Sequence, residues 1–423
     1  MQPGTTTAVV RLAAAMSGES DSVRAAEQVC SRCCEDLGPG SVDLALLFVS
    51  YPHAERIDAI AGVVRRELRV DCLVGTTGEG VVGGRAEIER SPGISILAAR
   101  LPGVTLVPFS GEELMPYDES PEGISKFARA FGADSELRAT LLFADPFSVP
   151  MNGLLAVMNR ARAEGRTGHI IGGMASGATT AGGNALVLDQ GIYRSGLVGV
   201  SLKGPVRIDP VVSQGCRGFG PAMIITKCRK NIIFQLGGRP ALQVVRELVE
   251  ELPDEDKKLL EKGLFLGRVI NEYKDRFGRD DFLIRNVLGV EESQNAIAVN
   301  DLVKVGQTVR LQLRDARTAD EDLAMLLDAQ QLREPPLGGL LITCNGRGTR
   351  LFDAPHHDAA AISRAFMPGR AGEDLSKGGL PIDPAGPTIP LAGFFAAGEI
   401  GPVGDQSYVH GQTAVLGLFR SAK

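Results

Sequence analysis

The side chains best suited to binding a small charged molecule stand in glycine-rich turns that follow apolar runs. Arg347 lies in the turn 345–348, and Glu399 lies in the turn 398–401. Each turn follows a run that is typical of a buried strand. A guanidinium can form a fork onto a carboxylate, and a carboxylate can hold an ammonium group. The two side chains therefore predict a clamp for an amino acid; the alternative is that Arg347 pairs with Glu399 as a structural bridge.

Two earlier turns resemble this arrangement: GTTGEG at 75–80 and GGMASG at 172–177. Glycine in such turns lets backbone N–H groups approach an anion closely. Neither turn is a P-loop, because no Lys-Ser or Lys-Thr pair follows, and neither has the dinucleotide fingerprint before a helix. Together with Arg347 and Glu399, the predicted ligand-binding residues are Thr76, Thr77, Gly78, Glu79, Ser176, Asn345 and His410. The alternative is that these turns need glycine only for their backbone geometry.

A catalytic role is open for one pair of residues. Cys344 and His410 are the residue types of a nucleophile and its base in cysteine hydrolases. Cys344 ends an apolar run, however, where cysteine usually packs as a small hydrophobic residue. The sequence therefore predicts no catalytic residue. The enzyme hypothesis depends mainly on this pair, and Cys216, beside Arg217 in a glycine turn, is a weaker candidate nucleophile.

No metal or other cofactor is predicted. Cys30, Cys33 and Cys34 have a spacing that is superficially like that of a zinc site, but no second pair of ligands with suitable spacing is nearby. Helical periodicity accounts for Cys30 and Cys33 as residues of a buried face.

Composition limits the class of protein. A chain of 423 residues is too long for one ordinary core, so two or three domains are expected. A formal net charge of −6 gives no support for binding to nucleic acid or to a membrane surface. No long charge-free apolar run is present and the first residues are polar, so neither a transmembrane helix nor a secretory signal is predicted. Seven scattered cysteines favour a reducing compartment, and we predict a cytoplasmic protein.

Internal comparison reveals three copies of one pattern. Strand and helix signals repeat with anchors at 46–48 (LLF) and 141–143 (LLF), which places pseudo-repeats near 5–110, 104–212 and 307–420. In this comparison the third copy starts with the strand at Thr308. We therefore predict an α+β protein of duplicated α/β lobes, with mixed sheets flanked by helices. The segment 369–386, rich in glycine and proline, is predicted to be a loop.

Several motifs are similar to those of one known family. They are GTTGEG at 75–80, GGMASG at 172–177, SQGCRGFGP at 213–221, GGRPALQVVREL at 237–248, TCNGRG at 343–348 and FFAAGEIGP at 394–402. As a set they make the chain resemble FIST proteins over about residues 25–420. The resemblance implies a FIST N-terminal domain at 1–214, with two internal repeats. It also implies a FIST C-terminal domain at 215–423, with an insert at about 215–306 before the third repeat.

FIST proteins are inferred to be intracellular sensory modules that bind small ligands, with amino acids suggested. Bacterial FIST domains often accompany signalling output domains, and eukaryotic relatives attach an F-box. This sequence has no kinase, methyl-accepting or F-box segment, so it resembles a stand-alone FIST unit. The resemblance carries no settled catalytic residues.

The preferred hypothesis is a small-ligand-binding sensory protein, for amino acids or related small anions. Its expected partners are the small molecule and a signalling protein, without nucleic acid or membrane, and the oligomeric state is left open. The alternatives are an enzyme on a small amino or acyl compound, and a protein-interaction scaffold. The preferred hypothesis requires that the turns 75–80 and 398–402 lie on the same side of the molecule.

Overall fold

The computed structural model describes residues 9–114, 118, 120–162, 168–367 and 388–422. The predicted loop at 369–386 lies outside these residues. The chain divides into two compact units. The first unit comprises Met1–Val212, Ala324–Val409 and Ala414–Lys423, and the second comprises Ser213–Leu323 and His410–Thr413. Within the described part of the chain, every helix is too short or too polar to cross a membrane.

The first repeat alternates strands and helices. Its elements are β1 (Arg11–Ser17), α1 (Ser22–Leu37), β2 (Val42–Ser50), α2 (Ile57–Leu68), β3 (Val70–Gly78), β4 (Gly80–Gly83), β5 (Ala86–Glu89) and β6 (Ile94–Arg100). Helix α1 begins where the Asp21 side chain accepts a hydrogen bond from the Arg24 N–H, and the buried face of α1 includes Cys30 and Cys33. The apolar run in β2 is buried on both faces, as the sequence predicts.

The second repeat has the same order of elements, with one additional four-residue helix after its first strand. They are β7 (Thr105–Ser110), α3 (Gly111–Leu114), α4 (Pro121–Ala130), β8 (Leu137–Ala144), α5 (Met151–Ala161), β9 (His169–Met174), β10 (Leu186–Leu188), β11 (Gly191–Tyr193) and β12 (Leu197–Lys203). Helix α4 begins with Pro121 after Ser120, whose side chain accepts a hydrogen bond from the Gly123 N–H.

The third repeat is interrupted. It opens with β13 (Val206–Gln214). The insert contains β14 (Cys216–Arg229), β15 (Ile232–Leu236), β16 (Arg239–Pro240), α6 (Ala241–Glu250), α7 (Asp254–Leu259), β17 (Leu264–Val269), β18 (Phe282–Glu291), β19 (Ala296–Val299) and β20 (Thr308–Arg314). The repeat then continues with α8 (Ala316–Gln331), β21 (Gly338–Cys344), α9 (His357–Ala365), β22 (Leu391–Ala396), β23 (Glu399–Val403), β24 (Gln406–His410) and β25 (Thr413–Ser421).

The position of the first strand of the third repeat differs from the sequence comparison. That comparison assigns the strand at Thr308, which is β20, but β20 pairs with β14 and β17 in the second unit. The strand beside β25 in the third sheet is β13. The reason is that the insert separates β13 from α8, so β20 is the strand that directly precedes the first helix. The α+β class itself is confirmed by mixed sheets flanked by helices.

The three sheets of the first unit exchange hairpins in a cycle. Their strand orders are β1-β6-β2-β3-β10-β11, β24-β23-β9-β8-β12-β7 and β13-β25-β21-β22-β4-β5. Each sheet therefore has four strands from one repeat and a two-stranded hairpin from another. The first repeat extends the third sheet, the second extends the first, and the third extends the second. This exchange requires the chain to leave each repeat after β3, β9 and β22, where the glycine-rich turns stand.

Glycine occurs at the equivalent point of each of these three strands. Gly75 pairs with Leu47, Gly172 with Leu142, and Gly393 with Leu341, in parallel pairs of strands. A Cβ at any of the three glycines would overlap the carbonyl oxygen of its partner. Glycine is therefore needed here for the close approach of two backbones.

One phenylalanine from each repeat meets the other two in the core. Phe48 stacks on Phe394 with ring centroids 5.2 Å apart, and Phe143 contacts both rings edge-on at 5.5 and 5.8 Å. All three side chains are fully buried. They join the three repeats in one hydrophobic cluster.

The second unit is a separate antiparallel sheet. Its strand order is β14-β20-β17-β18-β19-β15-β16, and β14 also pairs with β15. The additional pairing closes six strands into a ring. Helix α6 contributes Leu242 and Val245 to the core of this unit.

Candidate functional site

The glycine-rich turns of the three repeats meet at the hydroxyl group of Ser176. Its Oγ accepts a hydrogen bond from the backbone N–H of Glu79 (2.8 Å) and donates to the carbonyl oxygen of Phe395. It also lies 3.3 Å from Oδ1 of Asn345. The Ser176 N–H donates to the carbonyl oxygen of Thr77 (3.2 Å). We call this meeting point, formed by residues 77–79, 174–176, 345 and 395–398, the loop junction.

Strand register identifies which residues of the three turns are equivalent. Each lies four positions after the glycine that pairs with Leu47, Leu142 or Leu341, which gives Glu79, Ser176 and Ala397. The backbones of the second and third turns are also bonded to each other: Met174 N–H donates to Gly398 O, and Ala397 N–H donates to Met174 O. The scaffold is thus shared, while the polar side chains differ from repeat to repeat.

The accessible edge of the loop junction carries an ion pair. The guanidinium of Arg350 contacts the carboxylate of Glu79, with Nη1 2.9 Å from Oε2. Nη1 also donates to the carbonyl oxygen of Asn345 (2.8 Å). The side chains of Arg350 and Glu79 are 41% and 22% exposed. Solvent and solutes therefore reach both charges.

Arg350 was not among the residues predicted from sequence. The signal was available, because Arg350 follows Arg347 by three positions, just beyond the turn 345–348. Sequence does not reveal which of two neighbouring arginines points inward. The local sequence favours Arg347 as the ligand-binding arginine, since it stands between two glycines.

Arg347 is fully buried and bound to Asp358. Its Nε and Nη2 donate to the two carboxylate oxygens of Asp358 at 2.7 and 2.8 Å. Thr343 Oγ1 also donates to Asp358 (2.9 Å), and the Arg347 guanidinium lies over the ring of Phe352. Burial alone would raise the pKa of Asp358, but the charge and hydrogen bonds of Arg347 outweigh it and lower that pKa. The role of Arg347 in ligand binding stays a prediction.

Glu399 occupies a position that is apolar in the other repeats. It pairs with Gly173, while Val81 pairs with Phe394 and Leu186 pairs with Thr76. These three partners each follow the close-approach glycine by one residue, so Glu399, Val81 and Leu186 are equivalent. Glu399 is fully buried. Its charge adds to that of Asp358 in raising the pKa of Arg347, against the opposing effect of burial.

A third carboxyl group, that of Glu87, lies near the buried pair of Arg347 and Asp358. Glu87 accepts a hydrogen bond from the Ala359 N–H (3.0 Å). Burial, followed by the nearby charge of Asp358, raises the pKa of Glu87 to about 8. The side chain thus holds a proton at neutral pH while Asp358 is ionised.

Thr76 and Thr77, which the sequence predicts as ligand-binding residues, are part of β3 and form hydrogen bonds with backbone groups. Thr77 Oγ1 accepts from the Ala185 N–H (3.0 Å), and Thr76 Oγ1 donates to the Thr77 carbonyl (3.2 Å). Both side chains are fully buried. Gly78 is packed against Phe394 and Phe395. The backbones of Thr77 and Gly78 help to form the loop junction, and a direct contact of the threonine hydroxyls with a ligand stays a prediction.

The two candidate catalytic residues are both buried. Cys344 ends β21, and its Sγ accepts a hydrogen bond from the Gly346 N–H (3.4 Å). His410 ends β24 and is grouped with the second unit. Their roles as nucleophile and base, and that of His410 in ligand binding, stay predictions. Among the residues that the structure describes, His, Cys, Asp and Glu side chains form no cluster that could hold a metal ion.

The chain matches two family models in succession. The FIST N domain matches residues 43–239, and the FIST C domain matches residues 241–402. An uncharacterized protein of Mycobacterium tuberculosis (strain H37Rv) is 36% identical over 413 residues, which cover 97% of this chain and 100% of that protein. An uncharacterized protein of Mycobacterium bovis is 35% identical over 414 residues, with coverages of 97% and 99%.

One solved structure that was matched to this chain is that of a cyanuric acid hydrolase from A. caulinodans. It covers 98% of this chain and 100% of its own, with 9% sequence identity and a TM-score of 0.32. At that TM-score the likeness supports no conclusion about fold or function.

Proposed function

This chain belongs to the FIST family, and from that premise we propose that it is a cytoplasmic sensory protein that binds a small zwitterion or anion. FIST domains are associated with signal transduction and small-ligand sensing. The observation that carries the proposal is the exposed ion pair of Glu79 and Arg350 at the loop junction.

The ion pair has the charges that an amino acid would need. An amino acid presents a carboxylate that a guanidinium can fork onto, and an ammonium group that a carboxylate can hold. In the proposed complex, Arg350 binds the ligand carboxylate and Glu79 binds the ligand ammonium. Opening the existing pair costs little, because exposed ion pairs contribute about 0–1 kcal/mol. Asn345 stands next to the pair, with its backbone carbonyl bound to Arg350, and offers a side-chain amide for orientation.

The same place is suited to sensing. Residues from all three repeats are hydrogen-bonded to one another at the loop junction, so a ligand there contacts turns that belong to different sheets. A ligand that prefers one arrangement of the turns shifts the population towards it. A signalling protein that binds that arrangement would transmit the change.

The proposal is tested by calorimetric titration of the full chain with each proteinogenic amino acid in turn. A native mass spectrum of protein purified from its own host would identify a retained ligand. We expect at least one amino acid to bind saturably. Arg350→Gln and Glu79→Gln should each weaken binding about tenfold or more, because hydrogen bonds to charged groups contribute about 1.5–3 kcal/mol.

A matched control is Arg66→Gln. Arg66 is also an exposed arginine paired with a glutamate, Glu67, at 2.9 Å, but it lies on α2. It should leave the affinity unchanged. Binding that survives both Arg350→Gln and Glu79→Gln would place the ligand elsewhere and refute the site. Absence of binding for the whole panel, together with a native mass equal to that of the bare chain, would refute an amino-acid ligand.

A further inference from the structure

The second unit contains a cavity of about 280 Å³ that is independent of the loop junction. Its wall includes three arginines, Arg217, Arg279 and Arg310, together with Gln312, Phe277 and Phe282. Strands β14 and β20 carry two of the arginines and the glutamine on a paired stretch, where Gly218 lies opposite Gln312. Among the described residues no carboxylate side chain lines the cavity, so the charged side chains that line it are cationic.

Two of the arginines form ion pairs with acids that are not among the lining residues. Arg217 contacts Asp256 (2.6 Å) and Asp315 (3.2 Å), and Arg279 contacts Asp322 (3.4 Å). The hydrogen bonds that Arg217 donates to Asp256, and secondarily to Asp315, raise the pKa of Arg217 against the effect of burial. These acids neutralise the two guanidinium groups and fix their orientation. Of the three arginines that line the cavity, Arg310 is therefore the one whose positive charge is not neutralised by these acids.

Arg310 makes a single side-chain hydrogen bond within the described part of the chain. Its Nε donates to the carbonyl oxygen of Gly220 (2.9 Å). Neither Nη group has an acidic partner among the described residues, and the side chain lines the cavity. A guanidinium that is anchored through Nε presents its two Nη groups as a fork.

Gln312 supplies a second observation of the same kind. It is only 3% exposed. Its amide forms no hydrogen bond with the residues the structure describes, although buried polar groups are normally paired. It lines the cavity, and Gly267 leaves room for its Nε2, since a Cβ there would stand 2.6 Å from that atom. The Gln312 amide is thus a buried hydrogen-bond donor that lines the cavity.

We propose that this cavity binds the oxyanion group of a compact molecule, a carboxylate or a phosphate. Arg310 forks onto two oxygens of the anion, and Gln312 donates to one of them. Arg217 and Arg279 add positive potential without leaving their acids. The rings of Phe277 and Phe282, 5.9 Å apart, form the apolar side of the cavity and contact the carbon part of the molecule. The volume is at the lower end for ligand sites, which limits the ligand to a small one.

The test is a titration of the full chain with inorganic phosphate and, separately, with succinate, at ionic strength held constant with chloride. Binding is measured by calorimetry and by the shift of the thermal unfolding midpoint. We expect one of the two probes to bind saturably beyond chloride. A response to succinate alone assigns a carboxylate ligand, and a response to phosphate alone assigns a phosphate ligand. No response beyond chloride to either probe overturns the proposal.

Variants locate the binding. Arg310→Gln should weaken it about 10- to 100-fold, as expected for loss of hydrogen bonds to a charged group. Arg310→Lys keeps the positive charge but lacks the two Nη groups, so it should also weaken binding. This variant replaces Arg310→Gln in the test if Arg310→Gln does not fold. Undiminished binding by Arg310→Lys overturns the forked site.

The matched control is Arg229→Gln, since Arg229 is an exposed arginine on the same strand β14 but does not line this cavity. It should bind as the unchanged chain does. A loss of binding in Arg229→Gln that is absent in Arg310→Gln would place the anion elsewhere. That outcome also overturns the proposal. Neither result affects the test of the loop junction, whose probes and variants differ.

Discussion

Two arginines three positions apart in the chain have opposite surroundings. Arg347 is completely buried with Asp358, whereas Arg350 is 41% exposed and pairs with Glu79. Both form two hydrogen bonds to a carboxylate. Removing one partner of a buried pair leaves an uncompensated charge in a medium of low polarity, whereas water replaces a lost partner at the surface. The same chemical contact is therefore structural in one case and exchangeable in the other.

The largest effect is expected from Asp358→Asn. This change leaves Arg347 charged and without its partner carboxylate, which should reduce the free energy of unfolding by about 3–5 kcal/mol. Denaturant unfolding at neutral pH measures it. The control is Asp353→Asn, at an exposed aspartate close in sequence, which should change stability by about 0.5 kcal/mol or less. Equal losses in the two variants would contradict a structural role for the buried pair.

The contrast between the two arginines marks the limit of prediction from sequence. The strands, the glycine-rich turns and the duplication are local or repeated patterns, and Gly75 and Gly172 are visible because strand packing demands glycine in each repeat. The exchange of hairpins is not visible, because the pairing of β4 with β22 joins residues that are far apart in the chain. The same holds for the depth of Arg347, which is set by the insertion of Asp358 from α9.

The site was predictable in part for the same reason. Glu79 and Ser176 stand in turns that the pattern identifies, and the structure brings them together with Asn345. Glu399 shows the opposite situation. A glutamate between glycines is typical of an accessible turn, yet β23 starts there and gives Glu399 the buried position of Val81 and Leu186. Only the register of the exchanged hairpin reveals this.

A pH-dependent effect of intermediate size is expected from Glu87→Gln. The folded state raises the pKa of Glu87 from 4.5 to about 8, so between these values the folded chain holds a proton that the unfolded chain has lost. Stability therefore falls as the pH rises through this window, by up to about 1.4 kcal/mol per pH unit. Glutamine stays neutral, so the variant should lose this dependence. It should be more stable than the unchanged chain at about pH 8 and similar to it at about pH 5.

The measurement is the free energy of unfolding at both pH values. Glu27→Gln, at an exposed position on α1, is the control and should keep the slope of the unchanged chain. The lowered pKa of Asp358 acts in a separate window, because its stabilisation is lost only as the pH falls below the usual range of a carboxyl group. An unaltered slope in Glu87→Gln would mean that Glu87 is ionised in the folded chain.

The smallest effect on stability is expected from Arg350→Gln. The stability of Arg347→Gln can be compared with it directly, because both variants replace an arginine by glutamine. Arg350→Gln should change the free energy of unfolding by about 0–1 kcal/mol, because its contact with Glu79 is exposed. Arg347→Gln should cost several times more, because Asp358 would lose its buried counter-ion. Added salt should reduce the small effect at Arg350 and leave the large one at Arg347 nearly unchanged, since counter-ions screen only exposed charges. Denaturant unfolding at low and high salt measures all four values.

If the two substitutions cost the same, the Glu79–Arg350 pair would be part of the scaffold and too costly for a ligand to open. If Arg350→Gln is nearly neutral for folding, a loss of ligand binding in that variant can be attributed to the site itself.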